Sequence, residues 1–205
     1  MPRALVQPTI TVEFDTFGSS SDPALLLIMG FTAQMTMWDE RFCRQLAEHG
    51  LFVIRFDNRD CGLSTKFDGQ TVDIGAVMMA ALSEQPVPPV PYTLSDMAAD
   101  AAGVLDALNI ERAHIIGASM GGMIAQTFAI EHPHRTISLT SIMSTVGDLA
   151  YGTPTDEALA ALLAPPSPDR AALRAVRHTS MSCRIPKAMR ITPEAINHGR
   201  MDSLT

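Results

Sequence analysis

The chain has 205 residues, of which 46% are hydrophobic and 18% charged, a composition typical of a soluble globular protein with one sizeable core. Its formal net charge of −7 argues against nucleic acid as a partner, and no apolar run reaches the length of a transmembrane segment or a signal-peptide core. The three cysteines, Cys43, Cys61 and Cys183, lack metal-ligand spacing and cannot all pair, which indicates a reducing, cytoplasmic location. We expect neither a metal nor a cofactor.

The first quarter of the chain predicts two strands and a helix. Residues Thr9–Phe14 alternate apolar and polar side chains, as in a half-buried strand, and Asp15–Pro23 has the residues of a turn. Ala24–Met29 is apolar throughout, as expected of a central parallel strand that is buried on both faces. Asp39–His49 has the apolar spacing of a helix, and Gly50 is its predicted C-cap.

The next stretch predicts one more strand and two helices. Leu51–Phe56 reads as a strand, and the turn segment Asp57–Ser64 closes it. Ile74–Leu82 predicts a short apolar helix, after which four prolines impose an extended link. Thr93–Leu108 is the clearest helix, because the pair Thr93–Asp96 resembles a capping box and an apolar stripe follows it.

A Gly-x-Ser-x-Gly pentapeptide, Gly117–Gly121, stands between an apolar run and a helical pattern that ends near His132. Strand, sharp turn and helix are the context of a nucleophile elbow, which places Ser119 at the tip of the turn as the candidate nucleophile. The alternative is a glycine-rich turn with an incidental serine. Ile137–Met143 predicts a further strand, so the fold is α/β, with a mostly parallel central sheet flanked by helices.

Two backbone amides are candidates for an oxyanion hole. The amide of Met120 follows the nucleophile, and the amide of Phe31 follows the strand that ends at Met29-Gly30. Seven methionines near these positions predict either an adaptable apolar pocket or ordinary core packing. They are Met29, Met35, Met37, Met78, Met79, Met120 and Met123.

Four segments together resemble the α/β-hydrolase superfamily, within it the branch of proline iminopeptidase-like and aclacinomycin methylesterase-like enzymes. They are Ile28–Phe31, Trp38, Asp57–Ser64 and Gly117–Gly122. The resemblance covers about residues 9–144 and implies Ser119 as nucleophile with Phe31 and Met120 as the oxyanion pair. Many relatives have a histidine where this chain has Met29, which affects support of the loop more than the oxyanion hole. We interpret Asp57–Ser64 as structural.

The acid and the base of the triad are not evident in the sequence. In this fold they follow the nucleophile in the order acid, then histidine. His178 and His198 follow Ser119 but are weak candidates for the base, because neither follows a credible strand. Asp148 follows the strand after the elbow helix, where some relatives place their acid, but an ordinary loop aspartate is the favoured interpretation. His132 and His134 lie at the far end of the helix that begins at the elbow, too far away to serve.

The sequence therefore predicts a serine carboxylesterase or lipase-like hydrolase that acts on small or apolar esters, with impaired activity in this chain. A non-catalytic remnant or interaction module of the same fold is the first alternative. A cofactor-free haloperoxidase or perhydrolase, which would use the same serine, is the second.

The predicted domain division is a hydrolase core at residues 1–148 and a partial cap or divergent tail at 149–205. Residues 1–168 carry 8 basic and 19 acidic side chains, whereas residues 169–205 carry 7 basic and 3 acidic ones. This reversal and the loss of periodicity predict truncation or an altered reading frame from about residue 169. The strand at Ile137–Met143 would then be an exposed edge, through which the chain could self-associate.

Overall fold

The computed structural model describes residues 1–83, 85–147, 155–157 and 160. The chain divides into two compact units, Met1–Pro154 and Thr155–Thr205. The sequence predicts a short helix from Thr155 to Leu163 in the second unit, where Asp156, Glu157 and Ala160 are helical. The rest of that predicted helix and the tail from residue 161 lie outside the described residues.

The described part of the first unit contains six strands and four α-helices. The strands are β1 (Arg3–Gln7), β2 (Ile10–Phe17), β3 (Ala24–Ile28), β4 (Phe52–Phe56), β5 (Ala113–Ala118) and β6 (Thr136–Ile142). The helices are α1 (Glu40–Glu48), α2 (Ile74–Leu82), α3 (Leu94–Ala107) and α4 (Met120–Glu131), with short 3₁₀ turns at Met35–Met37 and Pro133–Arg135. None of the described helices is both long enough and apolar enough to cross a bilayer.

The six strands form one sheet in the order β1-β2-β4-β3-β5-β6. The neighbours β4, β3, β5 and β6 run parallel, and β1 and β2 add an antiparallel edge. Ile28 is in register with Phe56 of β4 and with Gly117 of β5, so the carboxyl ends of these strands lie at one edge of the sheet. Ligand and active sites of open parallel sheets form at this edge.

Successive residues of β3 face opposite sides of the sheet, and each side has its own apolar cluster. Leu26 and Ile28 pack in the cluster that includes residues of α3 and α4, whereas Leu25 and Leu27 pack in the cluster that includes Cys43 of α1. Leu26 and Leu27 are fully buried, and each such burial stabilises the fold by about 2 kcal/mol. The apolar run is therefore the centre of a layered α/β structure, as the sequence predicts.

The predicted capping box of α3 is confirmed, whereas the C-cap of α1 is His49 and the predicted Gly50 follows it. The side chain of Asp39 accepts a hydrogen bond from the Arg41 amide at 2.8 Å at the start of α1, and Gly50 has a φ of 79° after its end. Thr93 and Asp96 form a reciprocal capping box at the start of α3. The side chains of Asp39 and Thr93 each satisfy an amide that the first turn of a helix leaves without a partner.

The amino-terminal region differs from the sequence prediction in two ways. The turn expected from Asp15 begins later, because Asp15–Phe17 continue β2 by pairing with β4, and Asp15 forms a 2.8 Å ion pair with Arg55. The strand β1 was not anticipated. It is held by contacts distant in sequence, since Gln7 donates a 2.9 Å hydrogen bond to Asp100 of α3.

Candidate active site

Ser119 stands alone between a strand and a helix, since β5 ends at Ala118 and α4 begins at Met120. Its backbone has φ 55° and ψ −126°, a conformation that costs a residue with a Cβ about 1–3 kcal/mol. Such strain persists only where the surroundings impose it. The turn is therefore a sharp strand-to-helix elbow with a half-buried serine at its tip.

Two glycines allow this turn to lie against the sheet. A Cβ on Gly117 would overlap the Gly121 carbonyl group and lie 2.7 Å from the Cα of Gly122. A Cβ on Gly121 would overlap the Ile28 carbonyl and lie 2.7 Å from that of Met29. Since these neighbours are backbone atoms with little freedom to move, the elbow requires glycine at both positions.

Backbone hydrogen bonds fix the elbow on its other side. The Ser119 amide donates to the carbonyl of Ile142, the last residue of β6, at 2.9 Å. The Ser119 carbonyl accepts from the Gly122 amide at 2.8 Å in the first turn of α4. Ser119 is thus held between β5, β6 and α4, at the carboxyl edge of the sheet.

The loop after β3 contacts the elbow, as an oxyanion hole requires. A Cβ on Gly30 would lie 2.9 Å from the Cβ of Ser119 and 3.4 Å from the Met120 amide nitrogen, so Phe31 follows a residue in contact with the serine. No described residue accepts a hydrogen bond from the amide of Phe31 or Met120. The structure brings together Ser119 and the segments that carry the two predicted donors.

The turn segment Asp57–Ser64 is structural, as its composition predicts. The hydroxyl group of Ser64 donates to the Asp57 carbonyl at 2.6 Å and accepts from the Glu13 amide at 3.0 Å. Arg59 forms a buried ion pair with Asp100 of α3, with an Nε–Oδ2 distance of 2.6 Å. These bonds tie the turn after β4 to β2 and to α3.

Contacts between this turn and the loop after β3 were not anticipated. The Nδ2 group of Asn58 donates to the Met29 carbonyl at 2.8 Å, and the Asp57 carboxylate accepts from the Met35 amide at 2.6 Å. Both bonds bracket Phe31 in the chain. The sequence shows only that polar residues follow the apolar run of β4. The pairing of β4 with β3, which brings these residues to the loop, comes from the structure.

None of the four described histidines lies near Ser119. His132 and His134 follow it by thirteen or more residues, which along α4 corresponds to about 20 Å. His114 precedes it by five residues, about 16 Å along β5, and its ring is 2.8 Å from the Ser138 hydroxyl group. Burial lowers the pKa of His114 from 6.5. His49 caps α1 at the amino edge of β4, the opposite edge of the sheet.

Several predicted candidates lie outside the described residues. They are Asp148, His178, His198 and the side chain of Met78. Within the described part of the chain, no group of three or more His, Cys, Asp or Glu side chains could hold a metal ion.

The methionines divide between the core and the surface. Met35 is fully buried and Met29 nearly so, both in the apolar core. Met79 is 62% exposed, whereas Met120 and Met123 are half-buried on the first turn of α4. Core packing therefore explains Met35. Of the seven methionines, Met120 and Met123 are the two closest in sequence to Ser119.

The family model for the alpha/beta hydrolase fold matches residues 23–190. The chain belongs to this family. A rhodomycin D methylesterase from Streptomyces sp. strain C5 is 32% identical over 157 residues, which are 77% of this chain and 47% of that protein. A 3-oxoadipate enol-lactonase from Acinetobacter baylyi is 27% identical over 131 residues, 64% of this chain and 40% of the relative.

A solved hydrolase from Pseudomonas aeruginosa PA01 shares the hydrolase fold. It is 25% identical, with a TM-score of 0.56, over 89% of this chain and 62% of that one. The chain spans about half the length of the curated relatives that it matches. The sequence-based resemblance to α/β-hydrolases and to methylesterases is confirmed, and with it the α/β fold with a mostly parallel sheet.

Proposed function

We propose that this α/β-hydrolase cleaves carboxylic esters of small or apolar substrates, with Ser119 as nucleophile and the amides of Phe31 and Met120 as the oxyanion hole. The observation that carries the proposal is the strained backbone of Ser119, at φ 55°, between two glycines that admit no side chain. Strain of this kind concentrates at functional sites, because only a constrained surrounding maintains it.

In the proposed reaction the Ser119 hydroxyl oxygen attacks the ester carbonyl carbon while a base accepts the hydroxyl proton. The carbonyl oxygen becomes an oxyanion, which accepts hydrogen bonds from the amides of Phe31 and Met120. The positive end of α4, which begins at Met120, favours the same charge. The alcohol then leaves with the proton, and water hydrolyses the acyl-enzyme.

The names of the two relatives support an ester substrate, since one is a methylesterase and the other an enol-lactonase. The side chain of Phe31 is 46% exposed beside its own amide, and Met120 and Met123 are half-buried on the first turn of α4. We propose that these apolar side chains contact the acyl or alcohol group of the substrate.

The base is proposed to come from outside the described residues. All four described histidines lie about 15 Å or more from Ser119, as counted from the rise per residue along the strands and helices. The remaining two of the six histidines are His178 and His198, with Asp148 as a candidate acid. With only these weak candidates, we expect low turnover from this chain, whose residues 149–205 we propose to be a partial cap or a divergent tail.

A burst assay with a p-nitrophenyl ester tests the proposal even at low turnover, because acylation releases one nitrophenolate per reactive serine. We expect a burst from the wild type and from Ser144→Ala, and none from Ser119→Ala. Ser144 is a suitable control, since its buried hydroxyl group has no hydrogen-bond partner in the described part of the chain. Equal bursts from Ser119→Ala and the wild type would refute the assignment. No burst from any variant would favour the non-catalytic alternative.

A further inference from the structure

The loop that carries Phe31 is held by two consecutive residues of the neighbouring turn. Asn58 binds the carbonyl of Met29, two residues before Phe31, and Asp57 binds the amide of Met35, four residues after it. A third contact runs from the thiol group of Cys61 to the Ala33 carbonyl at 3.1 Å. Hydrogen bonds from the turn after β4 therefore fix both ends of the loop, at Met29 and at Met35.

Inside the loop, one hydrogen bond determines the direction of the Phe31 amide. The Gly30 carbonyl accepts from the Ala33 amide at 3.3 Å. In a trans peptide the carbonyl and the next amide point in opposite directions, so the Phe31 N–H points away from Ala33. Gly30 leaves this direction loosely fixed, because a glycine gives the peptide planes on either side of it more rotational freedom than other residues do.

Asn58 compensates for this freedom by holding the preceding peptide plane. Its Nδ2 group binds the carbonyl oxygen of the Met29–Gly30 peptide, which contacts the elbow through Gly30. Without that bond the Met29–Gly30 plane would be free to rotate, and only the bond between the Ala33 amide and the Gly30 carbonyl would orient the Phe31 amide.

The buried state of Asn58 argues that stability alone does not explain it. The residue is 4% exposed, and its Oδ1 atom has no hydrogen-bond partner in the described part of the chain. A buried acceptor without a donor destabilises the folded state, so the bond from Asn58 to the Met29 carbonyl is made at a cost in stability. A role in the geometry of the site accounts for a polar side chain at this buried position.

We propose that Asn58 is a positioning residue of the oxyanion hole: through the Met29 carbonyl it keeps the Phe31 amide directed at the oxygen of the reacting ester. This proposal rests on the proposed function of Ser119 and Phe31. Asn58 itself touches neither substrate nor nucleophile in the proposed reaction.

The test compares three variants by the kinetics with which a fluorophosphonate labels Ser119. Asn58→Leu removes the donor at similar volume, and Asn58→Asp, when its carboxyl group is ionised, removes it at the same shape. Ser64→Ala is the matched control, because it breaks two buried hydrogen bonds of the same turn and leaves the Met29 carbonyl untouched. Hydrogen exchange of the peptide that spans residues 29–35 reports the order of the loop without chemistry.

We expect both Asn58 variants to label about 30-fold more slowly at saturating probe, below the loss of about 100-fold or more that follows deletion of a donor. The probe concentration for half-maximal rate should stay unchanged, since binding precedes the step that the hole stabilises. Exchange in residues 29–35 should accelerate in these variants. The labelling rate of Ser64→Ala should stay within about threefold of the wild-type rate, even where the melting temperature falls.

Labelling of Asn58→Leu and Asn58→Asp at the wild-type rate would overturn the positioning role and leave the role of Ser119 intact. If Asn58→Leu does not fold, the isosteric Asn58→Asp decides the question. Wild-type labelling no faster than that of Ser119→Ala would overturn the proposed function, and this proposal with it.

Discussion

Gly117→Ala tests whether the elbow requires glycine for steric reasons. The new Cβ would overlap the Gly121 carbonyl group and lie 2.7 Å from the Cα of Gly122, and all of these atoms belong to the backbone of α4. Because α4 is packed against β3 and β6, it cannot move without loss of buried contacts. We expect the free energy of unfolding to fall by about 3 kcal/mol, at the upper end of the range for overpacking.

That loss corresponds to a change of about 150-fold in the unfolding equilibrium constant, which urea denaturation at equilibrium measures readily. The control is Gly75→Ala in α2, where the nearest atom, Oδ1 of Asp73, would lie 3.3 Å from the new Cβ. Alanine there should change the stability by less than about 1 kcal/mol, since alanine favours helices. A Gly117→Ala variant as stable as Gly75→Ala would refute the steric explanation of the elbow.

Three further predictions concern strain, pH and association. Ser119→Gly should be more stable than Ser119→Ala by about 1 kcal/mol in urea denaturation, because glycine relieves the strain at φ 55° that alanine retains. Since burial lowers the pKa of His114 from 6.5, the unfolded chain takes up this proton first as the pH falls, and stability is lost below that value. His114→Asn should therefore lose less stability than the wild type between about pH 7.5 and 5.5, as measured by urea denaturation at each pH. We propose that the chain self-associates through β6, the outermost described strand on its side, so Leu139→Lys at an exposed position of β6 should reduce self-association in size-exclusion chromatography, whereas Ile130→Lys on α4 should not.

Much of the fold is encoded in local patterns, which is why the sequence predicts it. The run Ala24–Met29 predicts a central strand because it is apolar throughout, and Thr93 and Asp96 mark the start of α3 with a capping box. The elbow is also local, since its strand, turn and helix are contiguous in the chain. The residues around Ser119 are therefore sufficient to predict it as the candidate nucleophile.

The features that the sequence did not reveal depend on contacts between distant residues. The strand β1 packs on α3, where Gly103 leaves room for Val6, and neither segment signals this contact alone. The bond from Asn58 to the Met29 carbonyl joins residues 29 positions apart. The sequence marks the turn after β4 as structural, but only the order of strands in the sheet shows which loop it supports.

The central claim is that Ser119 is the nucleophile, and mass-spectrometric mapping of a fluorophosphonate adduct tests it most directly. The wild type should gain one adduct per chain, on the peptide that contains Ser119, and Ser119→Ala should gain none under the same conditions. An adduct on another residue, or equal labelling of the wild type and Ser119→Ala, would contradict the claim.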